Sequence, residues 1–548
     1  MGRFIFRCLI LAACGLMAGC YKPEVGFNPV PSTVRVGGPT GVGLPGLGDS
    51  VTLERAAGEW TTAQVALDLW LPPVPPGESP STDVITGRIL LRWQRPDGTY
   101  AAAGAAGSGE IPRLYQVLPV NYRGPAFDRL FHVPSGDEGS IPDACVPIEA
   151  KPGAKEAELP LPNATPEGAA SVTLLAEFPP GDGDETWVLS VEYGAGEYSF
   201  TVHLKTYPVR LPTRFDFMTA TTWDWQIEKY LGRELTAEER ATFIDFFLDY
   251  HFTPAAFFGQ GPGFSAEEIK HIVARGGTMF QVFHIGGGGK RVLSTAQKKK
   301  LKPQLKAWRE TMNAAGAGNM CYALVADEPA ADADADIRAN ATWLKSVWPE
   351  LHIWVGTRPR KDLMDGVDAW DCITAASTDY YKPHEHTAEA YALARAAPNR
   401  PQYWWFWSVE PYPPHLNCLI EDPLIDCRAI GWKSFVQGVD GFEYFWATDW
   451  AANRDLATIP YPAKAWRWNL GLSGAGQLCY PINRDGKLEP IPSLRLVNLR
   501  AGFQDWELFR MVGAGLKARF PHPDLQDSAT LEAMHHAALE MLQARAEK

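Results

Sequence analysis

The chain has 548 residues, 46% of them hydrophobic and 21% charged, enough for a packed core and, at this length, for two or more domains. A formal net charge of −13 leaves no basic surplus to neutralise phosphates, which excludes a nucleic-acid partner. Twenty Trp and 18 Tyr supply core rings and, for a minority, flat faces on which a sugar ring can stack.

The first twenty residues, "MGRFIFRCLILAACGLMAGC", place Arg3 and Arg7 before an apolar run and small residues before Cys20. That order predicts a secretory signal peptide over 1–20, with cleavage before Cys20 and lipidation of its thiol. "LAAC", ending at Cys14, is a second candidate but leaves a very short apolar run. The expected location is therefore the bacterial cell envelope, with the membrane as a partner through the lipid anchor at Cys20. Residues 21–50, rich in Gly and Pro and without periodicity, are expected to be a tether.

From 51 to 208 short alternating runs ("QVALDLWL", "GRILLRWQ", "ASVTLLAEF", "TWVLSVEY", "YSFTVHLKTY") are broken by Gly, Pro and Asp, which predicts an antiparallel β-sandwich. From 209 to 548 the texture changes to apolar runs alternating with amphipathic ones. "FDFMTATT", "FTPAAFF", "TMFQVFHI", "MCYALVADEP", "HIWVGT", "WDCITAAS", "QYWWFWS" and "DGFEYFWAT" give eight strands, the count of a (β/α)8 TIM barrel, and the chain ends in helices.

In such a barrel the chemistry sits where strands end and the following loops begin. That rule gathers His284, Asp327, Glu328, Thr357, Arg358, Trp407, Glu410, Trp446 and Asp449 around one opening. The adjacent acids Asp327 and Glu328, followed by Pro329, stand out. An Asp-Glu-Pro run is also an ordinary helix start, but a capping role for one acid leaves the other free for catalysis. His251 and His284 lack metal-ligand spacing, and the six cysteines beyond the leader (Cys145, Cys321, Cys372, Cys418, Cys427 and Cys479) form no CxxC, so no metal site is expected. Cys418 and Cys427 are either a disulfide or two free thiols. No Walker loop, dinucleotide fingerprint or GxSxG elbow occurs, and no cofactor is expected.

Four stretches together resemble glycoside hydrolase family 123 and its relatives carried as domain of unknown function 4091. They are "LERAAGEWTTAQVAL" (53–67), "ADEP" (326–329), "WWFWSVEPYPPHLNCLIEDPLIDCRAIGWKSFVQGVDGFEYFWATDW" (404–450) and "PSLRLVNLRAGFQDWELFRMV" (492–512). The resemblance implies a β-sandwich followed by a (β/α)8 barrel and an enzyme acting on terminal β-linked N-acetylgalactosamine. It also carries the family's adjacent Asp-Glu pair onto Asp327 and Glu328. "VFHIGGGG" (282–289) and Glu410 match no motif of that family.

Adjacent acids suit a particular chemistry. Neighbours on one strand point to opposite sides, so Asp327 and Glu328 cannot flank a glycosidic bond as a conventional nucleophile and acid do. A substrate whose own 2-acetamido oxygen attacks C1 needs one acid for the leaving oxygen, Glu328, and one carboxylate to hold the acetamido group, Asp327. The neighbouring charge is expected to raise the pKa of Glu328. His284, Trp407, Tyr444, Trp446 and Asp449 are the expected substrate contacts, while Arg495, Arg500, Asp505 and Glu507 have the spacing of ion-paired fold support. Two other readings stay open: a glycosidase on sugars lacking the 2-acetamido group, with Glu410 or Asp449 as distant partner, and a glycan-binding lipoprotein without turnover.

Overall fold

The computed structural model describes residues 24–36, 49–70, 89–95, 97–102, 111–122, 139–150, 154, 156–159, 169–193, 196–223, 227–255, 259–286, 288–289, 291–376, 379–450 and 474–547. The leader and Cys20 lie outside them. The chain divides into two compact units: residues up to Leu118 with Cys145–Arg210, and Pro119–Ala144 with Leu211 onward.

The first 210 residues form two sheets. One has five strands in the order Glu24–Val30, Thr61–Trp70, Ala169–Phe178, Arg113–Tyr122, Gly139–Pro147. The other runs Ser50–Ala57, Gly196–Arg210, Glu185–Tyr193, Ile89–Gln94, Tyr100–Ala102, with Ala157–Leu159 also paired to Ile89–Gln94. Period-two alternation puts Leu67, Leu91, Trp93, Leu174, Trp187 and Val202 into one buried cluster. The pairing is antiparallel except where Ser50–Ala57 runs parallel to Gly196–Arg210. The expected tether needs correcting: Glu24–Val30 is a strand, antiparallel to Thr61–Trp70, with Phe27 and Val30 buried. Gly26 and Pro29 hid it from propensity, and an edge strand is where Pro is tolerated.

The second unit holds eight parallel strands, here β1 (Met218–Thr222), β2 (Thr253–Ala255), β3 (Phe280–His284), β4 (Cys321–Asp327), β5 (His352–Gly356), β6 (Ala369–Ile373), β7 (Gln402–Trp407) and β8 (Gly441–Tyr444). Their order, β2-β1-β8-β7-β6-β5-β4-β3, is a barrel closed at every seam but β2 to β3. Capping boxes start three of the outer helices: Thr236 with Glu239, Ser265 with Glu268, and Ser294 with Gln297. Between β5 and β6 the crossover is only the single 3₁₀ turn Lys361–Leu363. Met218, Tyr322, Leu324, Trp354 and Trp404 plug the inside of the barrel.

After β8 come a hairpin (Cys479–Arg484 with Lys487–Pro492) and the helix Leu494–Val512. The charged residues of that helix are ion-paired support. Arg428 meets Asp505, which also meets His535. Glu507 pairs with Arg510 and accepts the Asp216 amide. Arg495, fully buried, donates to Asp143 (3.1 Å) and to the carbonyls of Cys418, Gly474 and Gln477, and Tyr480 donates to the same Asp143 oxygen. All six described cysteines, Cys418 and Cys427 included, are buried and not joined in disulfides. Among the described residues no helix is long and apolar enough to cross a membrane, and no cluster of three or more His, Cys, Asp or Glu could hold a metal ion.

Candidate active site

β4 ends on Asp327, and the chain turns sharply at once: Glu328 has φ 44°. A register shift between Leu324 and Ala326 already kinks the strand against β5, a feature common beside functional sites. The alternation expected for two strand neighbours therefore stops at Asp327. The left-handed turn swings Glu328 round, and both carboxyls line one cavity of about 270 Å³. Its other walls are Leu324, Trp354, Gly356, Asp371, Tyr381, Phe406, Ser408, Val409, Glu443 and Phe445. They come from β4 to β8 and the segments that follow them, at the expected end of the barrel. The volume lies just below the roughly 300–1,000 Å³ of small-molecule pockets and suits a single ring.

Close packing fixes the turn. The Glu328 amide donates to the Gly356 carbonyl (3.0 Å), and a Cβ on Gly356 would sit 2.9 Å from Asp327 Oδ1, so only glycine leaves that carboxyl its place. Arg360 donates to the carbonyls of Pro329 (2.5 Å) and Ala330 (2.9 Å) and pairs with Asp334 (2.8 Å). The glycine run whose role was open in the sequence is the other support. Gly288 donates to the Asp327 carbonyl (2.8 Å), and a Cβ on Gly289, at φ 63°, would press tightly on Pro329 (3.0 Å), Ala326 (3.1 Å) and Ala333 (3.1 Å).

The electrostatics follow from burial. Burial first, and the Glu328 charge second, raise Asp327 to about 7. Burial also raises Glu328, while hydrogen bonds from Tyr380 and Tyr381 pull it back; Tyr380 Oη lies 2.6 Å from Glu328 Oε2. The neighbouring charge thus acts chiefly on the aspartate rather than on the glutamate. Deeper down, Asp371 is driven well above the usual carboxylate range by burial and by Asp327, and Glu443 by burial, Asp371 and Asp327.

Of the residues expected to touch substrate, the cavity gathers Asp327 and Glu328 and leaves the rest outside its lining. His284 is half-buried, and its carbonyl accepts from Gln260 (2.7 Å). Trp407 is fully buried, donating to Thr374 (2.9 Å) with its ring edge-on to Phe442. Tyr444 is buried, its hydroxyl donating to the Gly474 carbonyl and accepting the Gly476 amide. Trp446 and Asp449 are buried as well, and the Asp449 amide donates to the Gly476 carbonyl. Glu410 is fully buried, and Thr357 is bonded to His384. Sequence reasoning missed Asp371, Glu443, Trp354, Tyr380 and Tyr381. The first two carried a signal: an acid in mid-strand, in "AWDCI" and "GFEY", where both faces of the strand are buried.

A parallel barrel with paired carboxyls in a ring-sized cavity at its C-terminal rim, preceded in the chain by a β-sandwich, is the layout of a glycoside hydrolase. Residues 276–512 match the family described as glycoside hydrolase 123, catalytic domain. A solved family 123 glycoside hydrolase from Clostridium perfringens, described for glycolipid glycan hydrolysis, aligns over 96% of this chain and 100% of its own, at 11% identity and a TM-score of 0.62. Beta-glucuronidase 3 of Bacteroides uniformis aligns over 83% of this chain and 51% of its own, at 11% identity and a TM-score of 0.28. A Bacteroides ovatus xyloglucanase aligns over 83% and 98%, at 8% identity and a TM-score of 0.24. No curated protein sequence matches. The match over residues 276–512 supports glycoside hydrolase activity, and the Clostridium perfringens enzyme shares the fold.

Proposed function

We propose that the protein is an exported, lipid-anchored, retaining β-N-acetylgalactosaminidase-like hydrolase that uses its substrate's own 2-acetamido group. The observation that carries this reading is the shared cavity of two consecutive residues, Asp327 and Glu328. Their Cα atoms are about 3.8 Å apart, so they approach a bound ring from one side. The acetamido oxygen attacks C1 as Glu328 gives its proton to the leaving oxygen. Asp327 holds the acetamido N–H and balances the positive charge of the oxazolinium ion. Water, deprotonated by Glu328, then opens that ion with net retention. Tyr380, bonded to Glu328, orients the acid.

The test is hydrolysis of aryl N-acetyl-β-galactosaminides, with inhibition by a thiazoline analogue of the cyclised intermediate. A covalent sugar trapped on any side chain overturns the mechanism. A second reading has one observation behind it: Asp371 and Glu443 share the cavity and could supply a conventional nucleophile toward a sugar without the acetamido group. Their raised pKa values weigh against it, because a protonated carboxyl is a poor nucleophile. The proposed anchor is an acylated Cys20, with the enzyme held at the cell envelope. Mass spectrometry of the mature N-terminal peptide checks it, and an unlipidated start elsewhere excludes it.

A further inference from the structure

The cavity holds two carboxyls that this reaction does not use. Asp371 lies in the middle of β6 and Glu443 in the middle of β8, with β7 between them. Both line the cavity and are only 2% and 5% exposed. Barrel interiors are normally filled with branched apolar side chains at such positions, and burying a carboxyl without a partner is costly. Asp371 Oδ1 has no hydrogen-bond partner among the described residues, and neither acid has an ion-pair partner among them. Apart from a contact of Asp371 with the Trp354 side chain, the fold does not consume these groups, and they line the space a ligand would fill.

Their surroundings say what kind of ligand. Leu324 and Trp354, which line the same cavity, belong also to the apolar plug of the barrel, so the cavity is closed at its inner end. The two acids are therefore polar points at the bottom of a cavity whose other deep walls are apolar. Burial first, then repulsion from Asp327 and, for Glu443, from Asp371 as well, favour their protonated forms. A protonated carboxyl offers one donor and several acceptors, the complement of an alcohol, which also both gives and takes.

We propose that Asp371 and Glu443 are the specificity-determining residues of the site, gripping hydroxyls on the edge of the sugar ring that points down the barrel, away from the scissile bond at Asp327 and Glu328. The inference takes from the proposed function only that a sugar ring is the occupant. A substituent on those hydroxyls would collide with the plug, so the ring must be an unsubstituted terminal one. Substrates that differ in the hydroxyls at this edge are discriminated here, and not at the catalytic pair.

The experiment crosses enzyme variants with deoxygenated substrates. Asp371→Leu and Glu443→Leu remove the hydrogen-bonding groups at nearly the same size, and circular dichroism checks that they fold. Each variant and the wild type are assayed on the aryl glycoside that the wild type cleaves fastest and on its 3-, 4- and 6-deoxy analogues. Choosing the substrate by the wild type's own preference separates this test from the proposed function: a wrong sugar class leaves the cross intact. In the wild type, loss of the gripped hydroxyl is expected to lower kcat/KM by about 10²-fold or more, since a site built to bond a hydroxyl rejects its absence strongly. In the variant that has lost the partner, the same deoxygenation is expected to cost less than about threefold, because truncating the second partner of a broken bond adds little. Should every deoxy sugar be penalised equally in wild type and variants, the two acids do not touch the ring and the proposal falls. If a variant fails to fold, the deoxy monosaccharides serve as competitive inhibitors of the wild type. Equal inhibition by all of them overturns the proposal, and one about 10²-fold weaker than the rest supports it.

Discussion

Glutamate is a poor occupant of the left-handed region, and Glu328 sits there at φ 44° beside an aspartate raised to about 7. The two residues fail differently when changed. Under the proposed mechanism Glu328→Gln removes a proton donor, so kcat is expected to fall by about 10²–10⁴ on substrates with poor leaving groups and far less on activated aryl ones. Asp327→Asn is expected to slow both kinds alike. The pH dependence follows from the raised value of Asp327. Between about 4 and about 7 the folded protein holds this proton while the unfolded chain, with an ordinary value near 3.8, has released it. Stability from this group therefore declines as pH rises from about 4 to about 7 and is flat above. Asp327→Asn removes that loss, so its Tm is expected to exceed the wild type's by a few degrees at pH 8 and to match it near pH 4, in paired thermal melts. In the wild type the acid limb of kcat/KM is expected near pH 7, as buried Asp327 takes up a proton beside Glu328. Of this site the sequence displayed the pair, because two acids ending an apolar run are conspicuous. It did not display that the turn at Glu328 aims both side chains into one cavity, because a positive φ on glutamate has no sequence signature.

At the scale of the element, the turn at Asp327 and Glu328 is held by glycines on both flanks and by Arg360. Gly356→Ala places a methyl against the movable end of the Asp327 side chain. It is expected to reduce kcat by roughly tenfold or more with little change in Tm, as misplacement of a catalytic group does. Gly289→Ala meets rigid neighbours at Pro329, Ala326 and Ala333 and a left-handed φ, and is expected to destabilise the fold by about 1–2 kcal/mol in denaturant melts. All eight strands were legible from apolar runs set between amphipathic ones. Two features were not: the strand Glu24–Val30, whose Gly and Pro read as linker, and the burial of Trp407, Tyr444 and Trp446. Proximity to a strand end suggested the mouth of the barrel for these rings. Packing among Thr374, Phe442 and the 474–479 segment claims two of them instead, and nothing in one chain's sequence reports which loop folds over which ring.

At the scale of the whole molecule, residues 119–144 lie early in the sequence but group with the unit formed mostly after residue 211. Asp143 is the reason this matters: it is the counter-charge of Arg495 inside that unit, with both side chains fully buried. A fragment beginning at residue 211 would bury Arg495 without it, a loss of about 3–5 kcal/mol. Such a fragment is expected to be insoluble or molten, whereas Asp143→Asn in the full chain is expected to fold with a lowered Tm; near-ultraviolet circular dichroism and melting distinguish the two.

The same pair sets a clock on synthesis. Asp143 and Arg495 are separated by 352 positions in the chain. At about 5–20 residues per second, an interval of roughly 20 to 70 s passes between the appearance of the one and the arrival of the other. Throughout that interval Asp143 waits for the arginine that balances its charge, and the segment around it settles only once the helix Leu494–Val512 has been made.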